Sequence, residues 1–174
     1  MASATLAAKY CDKIGSQILE LKSLASSSEE LLNLRNPSIS QWSVEQHLDH
    51  TITTAKMIFG LVFMLLQSKS SKAPGKPKFL AKVVMATGYI PRGKGKSPAD
   101  LLPKENPRAE IAKNLPMLEM AFKSVSGRLA EVEQCAATAP HPALGEFTPA
   151  QWLRFIEIHN NHHFKIIRDI RRKA

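Results

Sequence analysis

The sequence predicts an all-α protein with four long helices in a single domain, residues 1–174. Apolar residues recur at helical spacing in four separate segments, whereas runs of alternating β-branched residues bounded by tight turns are nearly absent. Hydrophobic residues make up 44% of the 174 residues, which is enough for a sizeable core. A chain of this length is typical of one compact domain.

The first predicted helix runs from about Thr5 to Leu34 and is loosened at the serines of residues 26–28. Its apolar stripe comprises Leu6, Ile14, Ile18, Leu21 and Leu24. Asn36-Pro37 ends this helix, because the residue before a proline disfavours the α conformation.

The second predicted helix begins at Ser43, where Ser43 and Gln46 have the spacing of a capping box and Trp42 is the preceding apolar residue. Its core face comprises Val44, Leu48, Ile52, Ala55, Phe59, Val62 and Leu66. These steps of three and four residues are typical of a helix with one buried side.

The third predicted helix starts at Asn106-Pro107, an N-cap followed by proline at the first helical position. Its apolar seam comprises Ile111, Leu115, Leu118, Phe122, Val125, Leu129 and Val132. Pro116 interrupts this seam, so the helix either kinks there or starts only near Asn114.

The fourth predicted helix opens with a capping box between Thr148 and Gln151 and with Pro149 at its first position. Its seam comprises Trp152, Ile156, His159, His163, Ile166 and Ile170. Two histidines therefore occupy the middle of a face whose spacing is that of core residues.

His159 and His163 are four residues apart, so their imidazoles lie on the same helix face about one turn from each other. One helix can supply two nitrogen ligands to a metal ion with this spacing. A buried imidazole needs partners, because an unpaired polar group costs roughly 1–3 kcal/mol. Metal coordination would satisfy both rings, and hydrogen bonds to carbonyl or carboxylate groups are the alternative. We expect His162, about 100° round the helix, at the bundle edge or behind the ligands.

A third ligand is expected from the second helix, which carries His47 and His50. Periodicity places His47 nearer the apolar stripe and His50 on its flank. A site at the solvent-exposed rim of the bundle would instead favour His50. The sequence pattern alone does not decide which of the two histidines is the third ligand. His141, in a His-Pro loop ahead of the fourth helix, is expected to have a structural role.

The net charge is +9, and most of the excess lies in one connection of about residues 68–105. Between Lys69 and Lys96 it contains no acidic residue and eight basic ones: Lys69, Lys72, Lys76, Lys78, Lys82, Arg92, Lys94 and Lys96. Such a connection can attract anions. It lacks the interleaved aromatic residues of single-strand binders and the recognition elements of duplex readers, so we do not expect a nucleic-acid partner.

The two cysteines, Cys11 and Cys135, are far apart, which argues against a disulfide scaffold and a thiolate zinc finger. The longest apolar run, residues 57–66, is about half of a membrane span. The N-terminus lacks the features of a signal peptide. We therefore expect a cytoplasmic protein with no membrane partner.

Two stretches resemble the DinB/YfiT-like superfamily, regarded as metalloproteins, and in particular an uncharacterised branch of it. The segment Trp42-Ser43-Val44-Glu45-Gln46-His47-Leu48-Asp49-His50 is similar to the family's W-S-x-x-x-x-L-x-H motif. His141-Pro142-Ala143-Leu144-Gly145, followed by Trp152 and His159-Asn160-Asn161-His162-His163, resembles its H-P-x-x-G loop, tryptophan and H-x-x-H-H helix. After the paired histidines many relatives have Gln near the end of this helix, whereas here Lys165 and Ile166 follow.

The resemblance implies a four-helix bundle with a long crossover between its second and third helices. It also implies a metal triad of His50, His159 and His163. His47 falls where the family usually has an apolar residue, so it is the runner-up to His50. We expect His47 and His162 either to pack behind the ligands or to be alternative ligands.

Three imidazoles with an open fourth position resemble a catalytic metal site. Activities in the superfamily imply a metal-dependent enzyme, either a thiol-dependent transferase or a hydrolase, with zinc or nickel as the divalent ion. We expect a small-molecule substrate that is anionic or contains a thiol, and a homodimer is compatible with the fold. No catalytic residue is assigned, because Glu45, Asp49 and Glu157 could equally face solvent. The alternative is a non-catalytic bundle that binds a ligand or nucleic acid.

Overall fold

The computed structural model describes residues 5–68, 75–93 and 97–173, which form seven α-helices and a two-stranded hairpin. The helices are α1 Leu6–Ala25, α2 Glu29–Asn33, α3 Val44–Gln67, α4 Phe79–Thr87, α5 Arg108–Ser126, α6 Leu129–Gln134 and α7 Pro149–Lys173. The strands are β1 Ala139–His141 and β2 Gly145–Phe147, and Ala99–Leu101 form a 3₁₀ turn. The prediction of an all-α protein is confirmed, although the hairpin was not predicted.

The four long helices α1, α3, α5 and α7 pack around a shared core. Helix α3 packs against α5 and α7, and α1 closes the ring against the same two helices. Ile14, Phe59, Leu118 and Ile156, one from each helix, are at most 1% exposed. Burial of each such side chain contributes about 1.5–3 kcal/mol, so this core supplies most of the force that holds the helices together.

Contacts between α3 and α5 show that these neighbours run parallel. Arg108 at the start of α5 forms an ion pair with Glu45 at the start of α3. Further along both helices, the rings of Phe122 and Phe59 lie 5.8 Å apart. Because α3 has 24 residues and spans about 36 Å, the chain must travel back along its whole length before α5 begins. This geometry requires the long crossover of residues 68–107.

Helix α3 is the most apolar of the long helices. It is long and hydrophobic enough by composition to cross a membrane, with a mean hydropathy of 1.3 over its most apolar window. The fold buries 61% of that window, as expected for the central helix of a bundle.

Both predicted capping boxes are present. The Ser43 hydroxyl accepts from the Gln46 backbone N–H, and the Gln46 side chain accepts from the Ser43 N–H. Thr148 and Gln151 make the same reciprocal pair at the start of α7. These local signals therefore predicted correctly where the two histidine-bearing helices begin.

Two predicted helices are each divided in the structure. The first ends at Ala25, and Ser28 then caps the separate short helix α2, so a single helix over residues 5–34 was wrong. The third breaks at Gly127 into α5 and α6. It begins at Arg108 rather than at Pro107, and it continues through Pro116.

The crossover contains a helix that the sequence analysis did not predict. Helix α4 packs against α7 and buries Ala81 and Val84, and its end is set by Gly88 in the left-handed region, with φ +66°. Residues 75–78 lie against the hairpin, where the backbone N–H of Lys78 donates to the Leu144 carbonyl at 2.8 Å. Of the eight basic residues between Lys69 and Lys96, four fall outside the described residues: Lys69, Lys72, Lys94 and Lys96.

Candidate metal centre

Three histidines from two helices converge near the end of the bundle where α3 begins. His50 lies in the second turn of α3, and His159 and His163 lie one turn apart on α7. One nitrogen from each ring lies within 4.8 Å of the other two. The structure thus brings together the three residues that the family resemblance named.

The spacing of the nitrogens fits a single small ion. Nε2 of His50 and Nε2 of His159 are 3.2 Å apart. Two nitrogens bound at about 2.0–2.1 Å to a tetrahedral zinc ion lie roughly 3.3 Å apart. A set of three neutral imidazoles also matches the donor preference of zinc and nickel.

A backbone carbonyl from the crossover orients His50. Nδ1 of His50 donates to the Leu101 carbonyl at 2.7 Å, so in the neutral ring Nε2 keeps its lone pair. That lone pair is the one that faces His159. The segment after Leu101 is held against α3 as well, because the Gln46 side chain donates to the Lys104 carbonyl at 3.2 Å.

His47 supports His163 from behind. Their Nδ1 atoms are 3.0 Å apart, and Nε2 of His47 lies 2.9 Å from the Ser40 hydroxyl. If His163 donates from Nδ1, His47 accepts there and donates to Ser40, which leaves Nε2 of His163 free to bind a metal. His47 therefore contacts a member of the cluster, and among the described residues the cluster itself comprises His50, His159 and His163.

Burial keeps these rings neutral. Desolvation lowers the pKa values of His159 and His163 well below 6.5, and neighbouring histidine charges lower them further. The pKa of His50 is also lowered by burial, although its bond to Leu101 acts in the opposite direction. The pKa of His47 falls to about 3, mainly through burial. Neutral imidazoles are the form that binds metal, so protons compete weakly for this site.

Aromatic side chains pack around the cluster. The Trp42 ring lies 5.0 Å from His50 and 5.2 Å from His47, and it stacks on His163. On the other side, Phe155 stacks on His159 at 5.7 Å. Because a packed ring has few free rotamers, these contacts hold the imidazoles in place.

The His-Pro loop supports the centre indirectly. His141 accepts the backbone N–H groups of Ala143 and Leu144 on its Nδ1, which is the structural role expected for it. Its ring packs against Trp152 and Phe155, and Phe155 is the residue stacked on His159. The loop therefore supports the aromatic layer behind one member of the cluster.

Three acidic residues near the histidines are buried rather than solvent-facing. Glu45, Asp49 and Glu157 are 5–6% exposed. Glu45 pairs with Arg108, and Glu157 pairs with Arg154. Burial raises the pKa of Asp49, whose carboxylate accepts from the Thr53 hydroxyl. Glu45 and Glu157 therefore have structural roles as partners in ion pairs. We assign no catalytic role to any of the three acidic residues.

Several partners of the histidines had no sequence signal for this role. Leu101 contacts His50 through its backbone carbonyl, so the identity of its side chain gives no sequence signal for this contact. Ser40 and Phe155 are common residue types at ordinary positions. Trp42 was recognised as the apolar residue before a capping box and as the first residue of the family motif. Its contact with three imidazoles was not predicted, because this contact depends on how α3 and α7 pack.

Fold and site together define an all-α bundle protein with a three-histidine cluster shared by two antiparallel helices. The chain belongs to the DinB superfamily, whose model matches residues 18–167. It is also similar to the uncharacterised protein YuaE of Bacillus subtilis (strain 168), with 28% identity over 156 residues that cover 88% of this chain and 90% of YuaE. No solved structure gives a significant match.

Proposed function

We propose that this protein is a metal-dependent enzyme in which His50, His159 and His163 hold one zinc or nickel ion. The observation that carries the proposal is the convergence of three neutral nitrogens within 4.8 Å, two of them 3.2 Å apart. Three protein ligands leave further positions for water or substrate, as in catalytic rather than structural sites. A bound ion of this kind lowers the pKa of coordinated water or thiol and so supplies a nucleophile.

The protein's own residues would hold and shield the centre. Leu101 and His47 hold His50 and His163 in orientation, and Trp42 excludes water from one side. His159 is only partly buried, which leaves an approach for a small substrate. The chemistry we propose is thiol-dependent group transfer or hydrolysis of a small substrate that is anionic or contains a thiol. The free cysteines Cys11 and Cys135 suit a reducing compartment, consistent with the predicted cytoplasmic location.

Metal content tests the first part of the proposal. Protein stripped with a chelator and reloaded with zinc or nickel is expected to contain one ion per chain by elemental analysis. His159→Ala and the triple variant of all three ligands are expected to lose the ion, whereas His162→Ala is expected to keep it. Failure of the reloaded wild-type protein to bind either metal would refute the proposal.

Activity tests the second part. Loaded protein is assayed for transfer of a simple thiol to an electrophilic nitroarene and for hydrolysis of a nitrophenyl ester. One of the two activities is expected to exceed that of metal-free protein and to disappear in His159→Ala. Full metal loading with neither activity above that of the metal-free protein in these two assays would favour a non-catalytic role.

A further inference from the structure

A cleft lies beside the histidine cluster, between α7 and the loop that follows α4. Its volume is about 330 Å³, and its walls include Tyr89, Ile90, Arg92, His162, Lys165 and Asp169. This volume is at the lower end of the range for small-molecule sites. The cleft is therefore large enough for part of a metabolite.

His162 is the wall that the cleft shares with the metal centre. Its ring meets the ring of His163 edge-on, with centroids 5.1 Å apart. On the other side it faces the loop after α4, because His162 and Ile90 both line the cleft. A molecule bound in the cleft is therefore separated from the cluster by the ring of His162 alone.

The charges of the cleft favour an anion. Arg92 and Lys165 supply two cations, against the single carboxylate of Asp169. Nη2 of Arg92 lies 2.7 Å from the Asp169 carboxylate, with both side chains about 40% exposed. The loop can therefore hold a carboxylate at hydrogen-bonding distance. Because this ion pair is exposed to solvent, it costs little to exchange for another anion.

We propose that this cleft binds the carboxylate or phosphate group of a small-molecule ligand, whose remainder reaches past His162 to the metal centre. This inference rests on the proposed function, since it assigns the cleft to the substrate of that centre. Arg92 and Lys165 bind the anionic group, and Asp169 competes with it for Arg92. The competition makes the effects of substitutions opposite in sign, which a merely structural role of these residues would not produce.

The test is isothermal titration calorimetry at constant ionic strength. Inorganic phosphate and, separately, succinate are titrated into metal-free and into metal-loaded protein. Arg92→Gln and Lys165→Gln are expected to weaken binding about two- to fivefold, as expected for an exposed charge pair. Asp169→Asn is expected to tighten binding by a similar factor. Lys123→Gln on α5 makes the same change in net charge away from the cleft and is expected to leave binding unchanged.

Equal weakening by Lys123→Gln would show only nonspecific attraction to a basic protein and would overturn the inference. So would the absence of binding of both anions, or weaker binding by Asp169→Asn. The stronger of the two probes identifies the anionic group. Anion binding to metal-free protein that follows the expected order, combined with no metal binding, would refute the metal centre and leave the anion site standing.

Discussion

The protons on individual ring nitrogens decide whether the cluster can bind a metal. His50 is oriented by a backbone carbonyl, which no side-chain substitution can delete. His163 instead depends on a second histidine, His47, which is 2% exposed and is itself held by Ser40. The two ligands therefore differ in how vulnerable their orientation is to mutation.

His47→Leu is expected to weaken zinc affinity about 10- to 100-fold, the usual effect of removing a residue that orients a ligand. Leucine fills the buried space but leaves Nδ1 of His163 without its partner. Competition with a chromophoric chelator measures the change. Ser40→Ala, one hydrogen bond further away, should have a smaller effect. Loss of all metal binding by His47→Leu would instead indicate that His47 is a ligand.

His141 is expected to make stability depend on pH. Burial lowers its pKa from 6.5 to about 4 in the folded protein. The unfolded chain therefore binds more protons between these values, so the contribution is complete above pH 6.5 and is lost as the pH falls toward 4. His141→Asn keeps an acceptor for the two backbone N–H groups but does not titrate. In urea unfolding of metal-free protein, the variant should lose less stability than wild type between pH 7.5 and 5, and equal losses would contradict this.

Among the secondary-structure elements, α4 is held against the bundle by its buried residues Ala81 and Val84 and by one long side chain of α7. Arg154 donates two hydrogen bonds to the Met85 carbonyl, which lies in the last turn of α4. It also pairs with the buried Glu157 and lies over the Tyr10 ring at 5.3 Å. A single residue thus joins α1, α4 and α7, and α4 in turn leads into the loop that lines the cleft.

Arg154→Met is expected to lower the free energy of unfolding by about 3 kcal/mol, because it leaves Glu157 buried without its main partner. Amides of α4 should exchange faster with solvent. Adding Glu157→Gln should recover part of the loss. Lys22→Met, which breaks the exposed pair between Lys22 and Glu119, should cost less than about 1 kcal/mol. Equal costs of the two single variants in denaturant unfolding would show that the Arg154 pair is not a buried interaction.

Helix starts were predicted well because caps are local. Ser43 and Thr148 each combine a hydroxyl with a glutamine three residues later, and both capping boxes form. The break at Gly127 and the helix in the crossover were missed. Gly127 and Gly88 are local signals of a helix end that the sequence analysis did not use. The packing of α4 against α7, in contrast, has no local signal.

At the scale of the whole molecule, the site joins parts of the chain that are far apart in sequence. His50 and His159 are 109 residues apart, and their helices run in opposite directions. The crossover returns to the same end of the bundle and supplies the Leu101 carbonyl. A metal bound here would therefore link α3 and α7, with the crossover held against them.

Zinc at 100 times its dissociation constant should stabilise the folded protein by about 2.7 kcal/mol. For a chain of this size, that corresponds to a rise in Tm of roughly 5–10 °C. Thermal unfolding followed by circular dichroism, with and without zinc, measures the shift. His159→Ala should show no rise, and an equal rise in this variant would place the bound metal elsewhere.

The sequence by itself determined the helical class, the starts of the two histidine-bearing helices and the pairing of His159 with His163 on one face. These features depend on spacing within a few residues. Periodicity left His47 and His50 open, and the family resemblance named His50. Only the tertiary structure brings one nitrogen of His50 within 4.8 Å of a nitrogen from each of the paired histidines, because both His47 and His50 are buried on α3 and their contacts depend on how α3 meets α7. It also brought Leu101, Trp42 and the cleft to the site, since contacts between distant segments arise from packing and leave no periodic mark in the sequence.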